Sequence, residues 1–137
     1  MTIVADTGPL YAALDRSDSW HESVAASMAG IREPLIVPLP VLVEVCQLLA
    51  ARTSARDEAR FLRACANGEV QVEPLTDQDL ERAADLVERY ADARIGFVDA
   101  SVVAIAERLR VKRLLTIDRR HFSIIRPLHC PAFDFLP

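Results

Sequence analysis

Three short runs in this chain are almost wholly apolar: "TIVA" at 2–5, "LIV" at 35–37 and "LLTI" at 114–117. Each is too short for a helix and lacks the alternation of a half-exposed strand, so each reads as a strand buried on both faces. Helical stretches separate them. They are expected at about 8–15, at 19–30, at 39–53 with Pro40 in the first turn, and in "SARDEARFLRACANG", which Asn67-Gly68 stops. Two more are expected in "TDQDLERAADLVERYAD", capped by Thr76 or Asp77, and in "GFVDASVVAIAERLR". A further strand is expected in "VQVEPL", a short turn or helix in "RRHF", and an edge strand in "PAFDF". Strands alternating with helices predict an α/β fold in which helices cover a parallel sheet on both faces. In such folds the ligand crevice lies beyond the carboxyl ends of the strands, where the strand order reverses. Asp6 and Asp118 each follow a strand and so fall on that edge.

Two more acids stand in apolar company. Glu44 is the only charge in "VPLPVLVEVCQLLAA", and Asp99 is the only charge in "IGFVDASVVAIA". An isolated buried carboxylate costs several kcal/mol unless it is paired, capped or bound to a cation. Each acid has an ordinary explanation. Asp6 can cap the helix starting near Gly8-Pro9, and Asp99 can flank the start of its own helix. Asp118 can pair with Arg119 or Arg120 on the surface, and Glu44 can meet a buried arginine. Taken together, these require four separate accidents, whereas one metal site explains all four. Clustered carboxylates suit hard cations such as Mg²⁺ or Mn²⁺, which take oxygen ligands and activate water for attack on a phosphodiester.

The bulk properties agree. At 137 residues the chain is the length of one domain, and its 51% apolar and 26% charged residues form an ordinary globular balance. No basic stretch with an apolar core opens the sequence, and Pro38, Pro40 and Glu44 interrupt its longest apolar stretch. A cytoplasmic protein without membrane spans is therefore expected. Cys46, Cys65 and Cys130 are widely spaced and form no CxxC pair, which suggests neither a disulfide framework nor a zinc site. A net charge of −4 argues against non-specific nucleic-acid binding. With the four acids set aside, the remaining acidic residues balance the 16 Lys and Arg.

With "IVADTGPLYAALD", "LPVLVEVCQLL" and "YADARIGFVDASVVAIAERLRVKRLLTIDRRHF" in this order, the chain resembles the PIN-domain ribonucleases, in particular the VapC-type toxins of toxin–antitoxin pairs. The match runs nearly end to end, so 1–137 reads as a single PIN-like nuclease domain. The resemblance implies a three-layer α/β/α sandwich with a short parallel sheet. It also implies an endoribonuclease that uses one or two Mg²⁺ or Mn²⁺ ions and leaves 5′-phosphate and 3′-hydroxyl ends. The family's four acids fall on Asp6, Glu44, Asp99 and Asp118, as catalytic residues and metal ligands. Its accompanying small hydroxyl residues fall on Thr7 and Thr116, in supporting roles. Asp92 lies where relatives often carry an acid, but reads better as a residue of a helix C-terminal turn. Relatives imply three partners: an RNA substrate, a cognate antitoxin that inserts a cationic side chain into the acidic pocket, and a second copy in a homodimer.

Phosphate contacts need cations. Arg52, Arg56, Arg60 and Arg63 recur at helical spacing, and Arg119 and Arg120 follow Asp118. Of these, Arg56, Arg60, Arg119 and Arg120 are the candidates for RNA binding, although the first group also fits a solvated helix face. His121 reads as a structural turn residue in preference to a general base. An aspartate-nucleophile phosphatase would want a second aspartate at position 8, which is Gly8. A phosphoacceptor domain would want a lysine late in the chain, but Lys112, the only lysine, precedes its strand. The remaining alternative is a non-catalytic binding module of the same fold whose acids are structural.

Overall fold

A computed structural model describes residues 2–137. Five parallel strands form one sheet in the order β3-β2-β1-β4-β5, with β1 Ile3–Ala5, β2 Leu35–Pro38, β3 Gln71–Glu73, β4 Arg113–Leu115 and β5 Asp134–Leu136. The three inner strands are the three apolar runs. β1 and β2 are buried throughout, as are Leu114 and Leu115 of β4, because helices cover both faces of the sheet. The edge strands carry Gln71, Glu73 and Asp134 and are partly exposed. The expected edge strand in "PAFDF" forms slightly later, at Asp134–Leu136.

The helices are α1 Thr7–Leu14, α2 His21–Ala29, α3 Leu39–Arg52, α4 Ala55–Ala66, α5 Asp77–Arg89, α6 Phe97–Leu109 and α7 Arg119–Ile124. The chain steps from β1 through β2 to β3 on one side of the sheet, then crosses back to β4 and β5 on the other. Right-handed crossovers therefore place the helices before β3 on one face and the α5–α6 hairpin on the other. The result is the expected three-layer α/β/α sandwich. The order reverses between β1 and β4, so the switch point opens beside their carboxyl ends.

Local chemistry sets the helix ends. Thr76 starts α5 through a reciprocal capping box with Asp79, and Ser54 caps α4 by accepting from the Asp57 N–H. Pro9 and Pro40 lie in first turns, where no backbone donor is needed. α6 is buried from Ala100 to Ala106, packed against α5 and the sheet and touching α3, as a helix apolar all round must be. Its one polar residue there, Ser101, donates to the Val98 carbonyl at 2.7 Å. Two ion pairs clamp the antiparallel α5–α6 hairpin: Arg82 with Glu107 at 2.8 Å and Arg108 with Asp79 at 3.0 Å. A 3-10 turn at Ala91–Ala93 joins the two helices and carries Asp92, exposed as its turn position predicts. Among the described residues no helix is long and apolar enough to cross a membrane.

Candidate functional site

Asp6 leaves β1 at the switch point and occupies the N-cap position of α1, but its carboxylate makes no capping bond. The cap explanation fails at this residue. Instead Oδ2 accepts a hydrogen bond from the Thr116 hydroxyl at 3.0 Å. Asp6 is 8% exposed, and burial is the main cause that pushes its pKa up to about 6. The Thr7 backbone N–H and the Thr116 hydroxyl oppose the shift, while the charges of Asp99 and Glu44 add to it. Beside it, the Thr7 hydroxyl is buried with no hydrogen-bond partner.

Asp99 comes from the first turn of α6. Its pKa is raised, first by burial. His121 counters this with a hydrogen bond and with its charge, and Asp118 and Glu44 reinforce it by repulsion. Asp118 precedes α7, again at an N-cap position without a capping bond, and its side chain is 60% exposed. It forms no ion pair with Arg119 or Arg120. Arg119 turns away, donating to the Pro137 carbonyl and lying 5.7 Å over the Phe135 ring. Arg120 is exposed.

Glu44 sits half-buried in the middle of α3. Among the described residues it has no ion-pair partner; every arginine found in a salt bridge goes to Glu33, Glu73, Asp79 or Glu107. Its charge is felt at both Asp6 and Asp99. The fold thus links carboxylates from the end of β1, α3, α6 and the β4–α7 turn electrostatically: Asp6 feels Asp99 and Glu44, and Asp99 feels Glu44 and Asp118. No lysine or arginine neutralises them.

The arrangement can be tested as a cation site. Among the described residues no three His, Cys, Asp or Glu side chains already stand close enough to enclose an ion. The donor chemistry nevertheless fits a hard divalent cation: every candidate atom is an oxygen, Asp99 repels Asp6, and Thr7, next to Asp6 in the chain, has a buried hydroxyl without a partner among the described residues.

The α4 arginines lie elsewhere. Arg60 and Arg63 join Arg16, His21 and Asp57 in lining a cleft of about 770 Å³ at the C-terminal end of α1. The acids stand at that helix's N-terminal end, and a helix of this length spans about 12 Å. Of the residues near the acids, His121 was underrated in the sequence. Its Nδ1 stands 2.9 Å from Asp99 Oδ2 and 3.8 Å from Asp118 Oδ2. The available signal was its spacing, three residues beyond Asp118 at the start of a helix, which puts both on one side of the turn.

Residues 3–126 match the sequence profile of the PIN domain. The chain belongs to the PIN-domain family. This PIN domain is 34% identical over 135 residues to Ribonuclease VapC26 of Mycobacterium tuberculosis, covering 98% of this chain and 100% of that relative. Among solved structures, its fold resembles that of VapC20 from M. tuberculosis, described as a sarcin–ricin-loop-cleaving toxin. That match has a TM-score of 0.82 at 23% identity, covering 87% of this chain and 92% of the other. A toxin–antitoxin complex from Klebsiella pneumoniae matches with a TM-score of 0.70 at 19% identity, over 90% of this PIN domain and 92% of that chain.

Proposed function

We propose that this PIN domain, taken as one unit over 1–137, is a divalent-metal-dependent endoribonuclease and the toxin of a type II toxin–antitoxin pair. The observation that carries the reading is the electrostatic linkage of Asp6, Glu44, Asp99 and Asp118 with no lysine or arginine paired to them among the described residues and with the Asp6 and Asp99 pKa values raised by burial. A structural role predicts caps and arginine partners, which these acids lack. The kinship to Ribonuclease VapC26 over the whole chain supports the same reading.

Asp6, Glu44, Asp99 and Asp118 would hold one or two Mg²⁺ or Mn²⁺ ions, with the Thr7 hydroxyl beside them. Bound there, the ion supplies positive charge against the phosphodiester and lowers the pKa of water. The chain's own residues do the remainder. Asp6, buried at the end of β1, and Asp99, partly buried on the first turn of α6, would form the inner part of the site. Thr116 holds Oδ2 of Asp6 and so orients the carboxylate. Exposed Asp118 and Arg120 border the solvent side, where an RNA backbone enters. Water adds to phosphorus and the 3′ oxygen departs with a proton, giving a 5′ phosphate and a 3′ hydroxyl. No side chain acts as nucleophile. An acidic pocket of this kind also suits inhibition by a cationic side chain from a cognate antitoxin, and a cytoplasmic homodimer completes the proposal.

The test is cleavage of total cellular RNA by purified protein, with 5′ ends mapped by sequencing, in Mn²⁺ or Mg²⁺, in chelator, and with Asp99→Asn. Discrete 5′-phosphate ends, lost in chelator and in the variant, are expected. Intact RNA under all conditions, from a folded protein free of antitoxin, would overturn the reading in favour of a non-catalytic binding module.

A further inference from the structure

The first turn of α7 holds a histidine against the acidic pocket. His121 Nδ1 is 2.9 Å from Asp99 Oδ2 and 3.8 Å from Asp118 Oδ2. A carboxylate only accepts, so Nδ1 carries the hydrogen and donates to Asp99. Asp99 and Asp118 come from different elements: the first turn of α6 and the turn after β4. Asp99 is partly buried, its side chain 23% exposed, while the Asp118 side chain is 60% exposed and its backbone carbonyl accepts from the Thr116 hydroxyl at 3.4 Å. His121 is therefore the one side chain that ties the α7 turn, and with it Asp118, to the rigid α6 carboxylate.

We infer that His121 is a positioning residue for the divalent cation: by donating from Nδ1 to Asp99 Oδ2 it turns the other Asp99 oxygen toward the pocket and docks the turn that carries Asp118. The inference rests on the proposed metal-dependent nuclease and names a further residue on which its metal affinity depends. Two other roles are distinguishable from this one. With Nδ1 donating, a general base would act through the lone pair left on Nε2, and its loss would slow cleavage even at saturating Mn²⁺. A mere helix-packing role needs no contact with either acid, because Phe122, not His121, is the buried residue of α7. Partners that orient metal-binding side chains commonly change metal affinity by about 10–100-fold when removed.

The decisive experiment measures Mn²⁺ affinity by calorimetry, alongside RNA cleavage as a function of Mn²⁺ concentration, for the native protein, His121→Ala, His121→Asn and His121→Gln. The Asn amide places a donor where Nδ1 stands; the Gln amide places it one methylene further out. His121→Ala is expected to weaken Mn²⁺ binding by about tenfold or more. It should raise the half-activating Mn²⁺ concentration by the same factor, with cleavage at saturating Mn²⁺ near the native rate. His121→Asn should restore affinity to near the native value, and His121→Gln should behave like alanine. His121 is only partly buried on a short helix, so circular dichroism in chelator should show all four proteins equally folded. Native-like or tighter Mn²⁺ binding by His121→Ala, while the native protein binds and cleaves, would overturn this inference alone. Equal weakening by Ala and Asn would overturn it as well, by removing the hydrogen bond as the cause. Failure of the native protein both to bind Mn²⁺ and to cleave RNA would overturn the nuclease reading and this inference together.

Discussion

The hydroxyl of Thr116 lies 3.0 Å from Oδ2 of Asp6, joining residues 110 positions apart. The bond follows from strand register. β1 pairs with β4 so that Ala5 stands opposite Leu115, and the next residue on each strand comes level just beyond the sheet. Asp6 N–H donates to the Leu115 carbonyl at 2.9 Å, which holds that register at the point where the chain leaves the core. Thr116 is itself fixed by its N–H bond to the Leu136 carbonyl on β5. One edge strand thus supports the hydroxyl that orients the central carboxylate.

Thr116→Val should move the acid limb of the cleavage–pH profile to higher pH. The hydroxyl is one of two groups restraining the upward pKa shift that burial imposes on Asp6, and valine keeps the volume but donates nothing. Thr116→Ser should return the limb to its native position. A profile unmoved by valine would show that Asp6 ionisation does not control the rate.

Asp6→Asn should stabilise the metal-free protein at neutral pH while abolishing cleavage. The folded-state pKa is about 6 against an ordinary value of 3.8. The folded chain therefore holds this proton more tightly than the unfolded chain. Stability associated with the group is intact below the unfolded value, falls as pH rises between the two values, and is fully lost above the folded one. The cost at pH 7.5 is about 3 kcal/mol by linkage. Asparagine escapes it and can still accept from Thr116. Thermal melts in chelator should show the variant several degrees higher than native at pH 7.5, with the difference closing near pH 4. A lower melting point at pH 7.5 would mean that the carboxylate is a structural cap after all.

Thr7→Val should separate stability from metal binding. The Thr7 hydroxyl is buried without a partner, and such a group costs about 1–3 kcal/mol. Valine removes that cost at nearly equal volume, so the metal-free melting temperature should rise. For the native protein, Mn²⁺ at a hundred times its dissociation constant should add about 2.7 kcal/mol by mass action. The Mn²⁺-induced rise in melting temperature should be smaller in Thr7→Val. An equal rise would place this hydroxyl outside the cation site.

Arg120 and Arg60 should behave differently in RNA cleavage. Arg120 is exposed two residues beyond Asp118, whereas Arg60 lines the cleft at the far end of α1. Arg120→Ala should raise KM with little change in kcat and flatten the salt dependence by about one phosphate contact. Arg60→Ala should leave the cleavage of short RNA unchanged. If Arg60→Ala raises KM as much as Arg120→Ala, the RNA path runs along α4 as well.

Much of the architecture was legible in the residues. The runs at 2–5, 35–37 and 114–117 are the inner strands because only doubly covered strands stay apolar on both sides. Thr76 announced α5 through its capping chemistry, and Asn67-Gly68 ended α4. Asp6 and Asp118 were placed on the functional edge by following strands, and Glu44 and Asp99 stood out by being lone charges in apolar helices. These are properties of a residue and its near neighbours, which local periodicity encodes. The 3-10 turn at Ala91–Ala93 went unread because three residues carry too little pattern.

What only tertiary structure decided is which distant residues meet. Parallel register brought Thr116 to Asp6, and the crossover back through α5 and α6 carried Asp99 to the switch point. Packing of α7 set His121 against Asp99, and β5 drew Arg119 away from Asp118. None of these adjacencies has a local signature, because each depends on the order in which strands join the sheet and on the handedness of the connections between them. The sequence by itself determined which carboxylates stand in apolar company or at strand ends. The fold determined that Asp6 and Asp99 are buried within reach of each other's charge, while Asp118 stays exposed.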